Sequence, residues 1–231
     1  MNLFYTNNIL NKTLSIDESK HCINSLRKNV NDEILITDGK GKIYTTKIIE
    51  INKNQVVYGK LNTQDIQNKK ITLEIAIAPT KNRARFEWFL EKSTEIGVDA
   101  IYPIICQRSE RKTINLKRCK KILIAAMKQS KNMILPKIHE LTTFKEFIKT
   151  KHEKTYIAHC HNTKKKVFKT VLKKENKNHI IRVLIGPEGD FSEEEITLAQ
   201  KNGIESITLG KNRFRTETAA IVVCNTIQIL F

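Results

Sequence analysis

Paired cysteines, phosphate-loop glycines, long apolar runs and an excess of acid are all missing from this chain, and each absence removes a class of protein. The cysteines Cys22, Cys106, Cys119, Cys160 and Cys224 are scattered, odd in number and never spaced C-x-x-C. That argues against a disulfide framework and for a reduced cytosol. No apolar run approaches the roughly 18 residues that span a bilayer, and the N-terminus has neither the basic nor the apolar region of a signal peptide. The expectation is a soluble, cytoplasmic protein with no membrane partner. Neither G-x-x-x-x-G-K-S/T nor an early G-x-G-x-x-G occurs, so P-loop and Rossmann dinucleotide readings lack their defining residues. Acidic residues number 24 against 41 Lys plus Arg, a formal net charge of +17. A polyanionic partner is therefore expected, with part of the excess assigned to a solvated, lysine-rich surface of AT-rich codon usage. A length of 231 residues, 40% of them hydrophobic, suffices for one large domain or two unequal ones.

The first part of the chain reads as a β-meander. Strand patterns cover Glu33 to Thr37, Lys42 to Glu50 and Gln55 to Leu61, with turns at Asp38-Gly39-Lys40-Gly41 and Asn52-Lys53-Asn54. Ahead of it, Ser15-Ile16-Asp17-Glu18 has the spacing of a capping box and predicts a short helix through Leu26. The polar, unpatterned stretch 62–70 is expected to be a linker. Beyond it strands alternate with helices, the pattern of a parallel α/β sheet. Strands are expected at Leu73 to Ala78, Ala100 to Ile105, Thr155 to Cys160 and Ile180 to Ile185, and helices at Arg85 to Ile96, Leu116 to Gln129, Phe144 to Lys149 and, in part, within the lysine-dense 163–178.

Two glycine loops follow, Ile185-Gly186-Pro187-Glu188-Gly189-Asp190-Phe191-Ser192 and Leu209-Gly210-Lys211-Asn212-Arg213-Phe214-Arg215-Thr216-Glu217-Thr218-Ala219. Each lies between a strand pattern and a helix pattern, where glycine permits close ligand approach and a helix N-terminus offers unpaired N–H groups. Ser192 with Glu195 forms a capping-box pattern, with Phe191 and Ile196 as a hydrophobic staple. From Ala219 to Phe231 the last helix is apolar on nearly every side, which predicts burial against the sheet and a second subunit.

These loops, together with Glu91-Lys92-Ser93-Thr94-Glu95-Ile96-Gly97-Val98 and Ile124-Ala125-Ala126-Met127-Lys128-Gln129-Ser130, closely resemble the ribosomal RNA small subunit methyltransferase E family, of the SPOUT class of knotted methyltransferases. His21 through Arg27 and Asp38-Gly39-Lys40-Gly41 resemble its PUA-like RNA-binding domain. The resemblance implies an α/β fold: a smaller N-terminal PUA-like β-barrel domain over 1–68, and a SPOUT-type domain over 72–231 whose parallel sheet is threaded as a trefoil knot. It further implies a homodimer that takes S-adenosylmethionine (S-adenosyl-L-methionine) as cofactor and methylates N3 of a uridine in 16S ribosomal RNA of the small ribosomal subunit. Carried over by position, Ile185, Gly186, Pro187, Glu188 and Gly189 would line one side of the cofactor, and Leu209, Gly210, Phe214, Arg215, Thr216, Glu217, Thr218 and Ala219 the other. Many members have an arginine where this chain has Asn212 beside Arg213, and Gly-Arg where it has Lys131-Asn132. Lys131 could replace the second of these as a point charge.

A uridine N3 faces the Watson-Crick edge, so the base must be unpaired before the nitrogen can attack a methyl group in line. As N3 loses its proton, charge spreads to O2 and O4, and a fixed arginine there would act as an oxyanion-type stabiliser. Arg215 is the first candidate and Arg213 the second. A phosphate contact, or a salt bridge to Glu217 or Glu188, is the competing reading of both. No residue stands out as general base. His159-Cys160-His161 alternate faces at a strand end with no further ligand pair, so no metal is expected, and His159 is assigned a backbone contact to the cofactor. Arg27, Lys28, Arg83, Arg85, Arg108, Arg111 and Lys128, with Lys40, Lys42 and Lys112, are the candidate RNA contacts, mostly to phosphate. The rival reading is a non-catalytic RNA-binding or ribosome-assembly protein that keeps the fold.

Overall fold

A computed structural model describes residues 2–66, 71–150, 154–173 and 180–231. Its contacts divide into two compact units, one of Met1–Asn68 with Ile124–Leu135 and the other of Lys69–Leu123 with Pro136–Phe231.

The first unit is a curled sheet of short strands. Strand β1 (Leu3–Tyr5) leads to helix α1 (Ile16–Lys20), and the sheet continues with β2 (Glu33–Thr37), β3 (Lys42–Asn52), β4 (Gln55–Tyr58) and β5 (Asn62–Ile66). Ser15 caps α1 by accepting from the Glu18 N–H at 3.2 Å. The Glu18 carboxylate does not complete the expected box but takes the Lys128 ammonium, and residues 21–25 continue as a wider π turn. The stretch 62–66, expected to be linker, is instead a strand antiparallel to β3. Its polar residues hide a pairing that only the long partner β3 creates; the rest of the expected linker, 67–70, lies outside the described residues. Phe4, Leu14, Ile34, Ile36, Ile48, Val56 and Tyr58 form the core. Residues 132–135 complete this unit: Gly41 N–H donates to the Met133 carbonyl at 2.8 Å and Leu135 N–H to the Gly39 carbonyl at 2.9 Å. A Cβ on Gly39, at φ +73°, would stand 2.6 Å from the Leu135 Cβ, so only glycine fits.

The second unit is the expected parallel α/β sheet. In chain order it contains β6 (Thr72–Ile77), α2 (Arg83–Ile96), β7 (Ala100–Ile105), α3 (Leu116–Ser130, its first half), β8 (Lys137–Ile138), β9 (Thr142–Thr143), α4 (Phe144–Phe147), β10 (Thr155–Ala158), β11 (Lys166–Val167), α5 (Phe168–Leu172), β12 (Ile180–Ile185), α6 (Glu193–Lys201), β13 (Glu205–Thr208) and α7 (Thr216–Leu230). The strand order is β11-β13-β10-β12-β6-β7-β8, every pair parallel. Ala76, Ile157 and Leu184 face one side, covered by Phe144, Phe147, Phe191, Ile196 and Ala199 of α4, α6 and the loop before α6. Period-two alternation sends Ile75, Ile77, Val183 and Ile185 to the other side, where α7 packs on β6 and β12. Register pairs Ile77 with Ile185, Ile185 with Ala158, and Ala158 with Ile207, so these strands end at one level. The two glycine loops leave from that level. No described helix is long and apolar enough to cross a membrane.

Candidate functional site

Beyond Ile185 the first loop is held from several directions. Gly186 O accepts from the Thr216 hydroxyl at 3.0 Å, a buried bond that joins the start of α7 to the first loop. α7 begins at Thr216, earlier than the apolar pattern from Ala219 suggests. A Cβ on Gly186 would lie 3.0 Å from the ring of the fully buried Phe191 and 3.1 Å from its backbone nitrogen, so glycine is needed for the close packing. Glu188 Oε1 accepts from the Lys81 N–H at 3.0 Å, and Gly189 O accepts from Arg108 Nη1 at 2.8 Å. Arg111 bonds the Thr80 and Lys81 carbonyls at 2.9 and 2.6 Å. Asp190, at φ +63°, accepts from the Cys160 N–H at 2.7 Å and from the Phe191 N–H at 2.8 Å. Ser192 and Glu195 form the full capping box, and Glu195 also accepts from the Gln107 N–H at 2.8 Å.

The second loop is held less. The Thr208 hydroxyl donates to Gly210 O at 2.9 Å, and Phe214 packs beside Gly210. Lys211, Asn212, Arg213 and Arg215 are exposed. Neither arginine side chain has a partner among the described residues. The two carboxylates considered for them are engaged elsewhere: Glu217, buried at the start of α7, lies 3.7 Å from Arg85, and Glu188 holds Lys81.

Between the loops and the end of β10 lies a cavity of about 610 Å³. His159, Ile185, Gly186, Pro187, Glu188, Leu209, Gly210, Arg213, Phe214, Arg215, Thr216 and Ala219 line it, as placed from the sequence. Gly189, Glu217 and Thr218 do not line it; Gly189 faces Arg108 and Glu217 faces Arg85. Ala158, Cys160, Lys165, Asp190, Ile207, Thr208, Lys211 and Asn212 line it without having been assigned to the cofactor. For Asp190 a signal existed, because an acidic residue after glycine can take positive φ and bond its own loop. For Lys165, whose ammonium caps the His159 and His161 carbonyls at 3.1 and 2.7 Å, none did.

The basic residues assigned to RNA are mostly engaged in the fold. Arg83 pairs with Glu87 at 3.3 Å, Arg85 with Glu217, Lys28 with Asp32 at 3.9 Å, and Lys128 with Glu18. Arg108 and Arg111 brace the loops. Arg27 alone of the seven has an exposed side chain without a partner among the described residues.

His159 is 6% exposed, and burial, then the nearby Lys165 ammonium, lower its pKa from 6.5 to about 4 against an opposing effect of Asp190. The unfolded chain takes up this proton below about pH 6.5 while the folded protein does not until about 4, so stability falls as pH falls through that window. Urea unfolding midpoints are expected to decline between pH 7 and 5, and His159→Leu should remove part of the decline. An unchanged slope in the variant would show that this imidazole titrates alike in both states.

The comparisons with known proteins agree with this architecture. Residues 67–228 match the RNA methyltransferase domain family and residues 15–57 the RNA methyltransferase PUA domain. Ribosomal RNA small subunit methyltransferase E of Buchnera aphidicola subsp. Schizaphis graminum is 30% identical over 237 residues, 96% of this chain and 92% of that protein. A probable rRNA-methyltransferase from Porphyromonas gingivalis is 33% identical with a TM-score of 0.91, over 100% of this chain and 98% of that one. The Neisseria gonorrhoeae ribosomal RNA small subunit methyltransferase E, solved bound to S-adenosyl methionine, is 27% identical with a TM-score of 0.87 and covers the same shares. A parallel sheet with a loop cavity at its carboxyl ends, matched along its length as an RNA methyltransferase domain and preceded in sequence by that domain's PUA partner, defines an RNA methyltransferase of the SPOUT class. Within that class, the chain belongs to the ribosomal RNA small subunit methyltransferase E family.

Proposed function

We propose that this protein transfers a methyl group from S-adenosylmethionine to N3 of a uridine in 16S ribosomal RNA of the small ribosomal subunit. The observation that carries the reading is the two-walled cavity, with exposed, unpartnered Arg213 and Arg215 at its rim, in a chain of this family. The residues present fit the cofactor. A volume of about 610 Å³ lies within the range of small-molecule sites, the braced Gly186-Pro187 backbone allows close approach, and Glu188 and Asp190 supply negative charge suited to a cation.

The cofactor would supply an electrophilic methyl group on a sulfonium. The chain's own part is positional and electrostatic. The first loop, tied to Lys81, Arg108 and Thr216, forms a rigid wall. At the rim, Arg215, with Arg213 second, faces the negative charge that spreads over O2 and O4 as N3 gives up its proton to solvent. Arg27, exposed and without a side-chain partner among the described residues, holds phosphate.

The family resemblance supports a trefoil-knotted chain in a cytoplasmic homodimer. The outer side of α7, with Ile229 73% exposed and Ile221 and Val222 only half buried, supports a second copy there.

Calorimetric titration of the dimer with S-adenosylmethionine is expected to show binding, and mass spectrometry of small-subunit RNA treated with protein and cofactor to show one methylated uridine. Absence of cofactor binding would favour a ribosome-assembly protein that has kept the fold.

A further inference from the structure

A second cleft, of about 460 Å³, opens at the carboxyl ends of the strands on the other side of the first glycine loop. Residues 186–188 and 190 of that loop line the cofactor cavity, while Ser192 and the start of α6 line the cleft. The loop is therefore a partition between two hollows. Asp190 and Ser192 are two positions apart, at most about 7 Å of chain, and Arg108 lies against the partition with its Nη1 on Gly189 O.

The floor of the cleft is apolar, made by Ile105 at the end of β7, by Phe144 and by Leu198 of α6. Ile105 and Leu198 are half-buried and keep apolar surface open. Around this floor stand Gln107, Lys112 and Lys145, exposed and without side-chain partners among the described residues. Two acids also line the cleft. Each Glu195 oxygen already accepts an N–H, from Gln107 and from Ser192. Glu194 is exposed, and the Ser192 hydroxyl, its own N–H and the Arg108 charge lower its pKa.

These groups match the parts of a nucleotide. An unstacked base has apolar faces and an edge of donors and acceptors, and the Gln107 amide carries both kinds of group. Unpaired ammonium groups suit the phosphates beside such a base. A volume of about 460 Å³ lies in the range of small-molecule sites. A free anion would satisfy the lysines and leave the apolar floor in water. In a chain of net charge +17, with the cofactor cavity across one loop, an RNA strand supplies base and phosphates together.

We infer that the cleft holds an unstacked base of the substrate RNA that flanks the target uridine, with Gln107 at its edge and Lys112 and Lys145 on the adjoining phosphates. The inference rests on the methyltransferase reading above and adds to it a place for the RNA separate from the cofactor cavity.

The test has two parts, both on the full chain. With the cofactor cavity filled by saturating S-adenosylhomocysteine, the Ile105 and Leu198 methyl signals are followed by NMR as AMP, GMP, CMP, UMP or ribose 5-phosphate is added. At least one nucleotide is expected to shift both signals with a Kd near about 1 mM, and ribose 5-phosphate to act about tenfold more weakly or not at all. In the second part, the triple variant Gln107→Ala, Lys112→Ala, Lys145→Ala is compared with Lys137→Ala, Lys201→Ala, which removes the same charge from exposed lysines at the start of β8 and the end of α6. The triple variant is expected to raise KM for small subunits about tenfold, and to flatten the slope of log affinity against log salt by about 1.4, the share of two phosphate contacts on a single strand. Its S-adenosylmethionine affinity and melting temperature should match the wild type. No methyl shift with any nucleotide, which would leave the cleft to a protein partner, equal shifts with ribose 5-phosphate, or a KM rise no larger than the control's would each overturn the inference and leave the methyltransferase reading in place. Absence of S-adenosylhomocysteine binding by the wild type would overturn both.

Discussion

Arg215→Ala is expected to lower methyl transfer about a hundredfold to a thousandfold, the usual consequence of removing one fixed donor from a site of developing negative charge, while leaving the melting temperature almost unchanged. The two halves of this expectation have separate structural reasons. Arg215 occupies the N-cap position of α7 in an extended conformation, φ −67° and ψ 158°, and makes no side-chain cap bond. Its guanidinium has no partner among the described residues, since Arg85 stands against Glu217 and Lys81 N–H bonds Glu188. Removing it breaks no hydrogen bond or ion pair among the described residues, and exposed substitutions of that kind stay within about 0.5 kcal/mol. The measurement is single-turnover methylation of small subunits from cells lacking the modification, beside thermal unfolding of the same preparation. Near-normal turnover would remove Arg215 from the reaction and pass the role to Arg213.

Glu74→Ala is the substitution expected to cost most in stability, about 3–5 kcal/mol, because it leaves a buried cation alone. Arg182 is 2% exposed. Its Nε and Nη2 donate to Glu74 Oε2 at 2.8 and 2.6 Å, its Nη1 to the Thr150 hydroxyl at 3.1 Å, and its guanidinium carbon sits 4.9 Å from the ring centroids of both Tyr102 and Phe147. Once Glu74 is gone, the remaining hydroxyl and two aromatic faces do not replace a carboxylate. The double substitution Glu74→Leu with Arg182→Met should recover most of the loss, since an apolar pair of similar volume removes both charges. Urea unfolding of the three proteins measures this; a single-variant loss below about 1 kcal/mol would show that water reaches Arg182.

The Arg182 pair also shows where sequence reading stops. Ile180 to Ile185 is legible as a buried strand from its run of branched residues, and the structure has that strand with the same ends. The arginine inside the run has no local explanation. Its partner lies 108 positions away and becomes a neighbour only through the β6–β12 register, which sets Arg182 opposite Glu74. Likewise, Arg108 and Arg111 look like free positive charge in a chain of net +17. Their binding to Gly189 O and to the Thr80 and Lys81 carbonyls arises from three strands ending side by side. The strand at 62–66 was missed for the same reason, since its polar residues carry no alternation and its ladder belongs to β3.

By itself the sequence determined the longer strands and helices of the parallel sheet, the capped start of α6, the apolar α7 and the two glycine loops, the second with Arg213 and Arg215 upon it. These depend on periodicity, capping and backbone permissiveness, which are local. Only the tertiary structure decided that Thr216 locks one loop to the other, that Glu188, Arg108 and Arg111 brace the wall while the Arg215 side chain has no partner among the described residues, and that the buried His159 ring nitrogens have no hydrogen-bond partner among them. Each of these depends on which distant atom arrives within hydrogen-bond range, and chain-local preferences do not encode that distance.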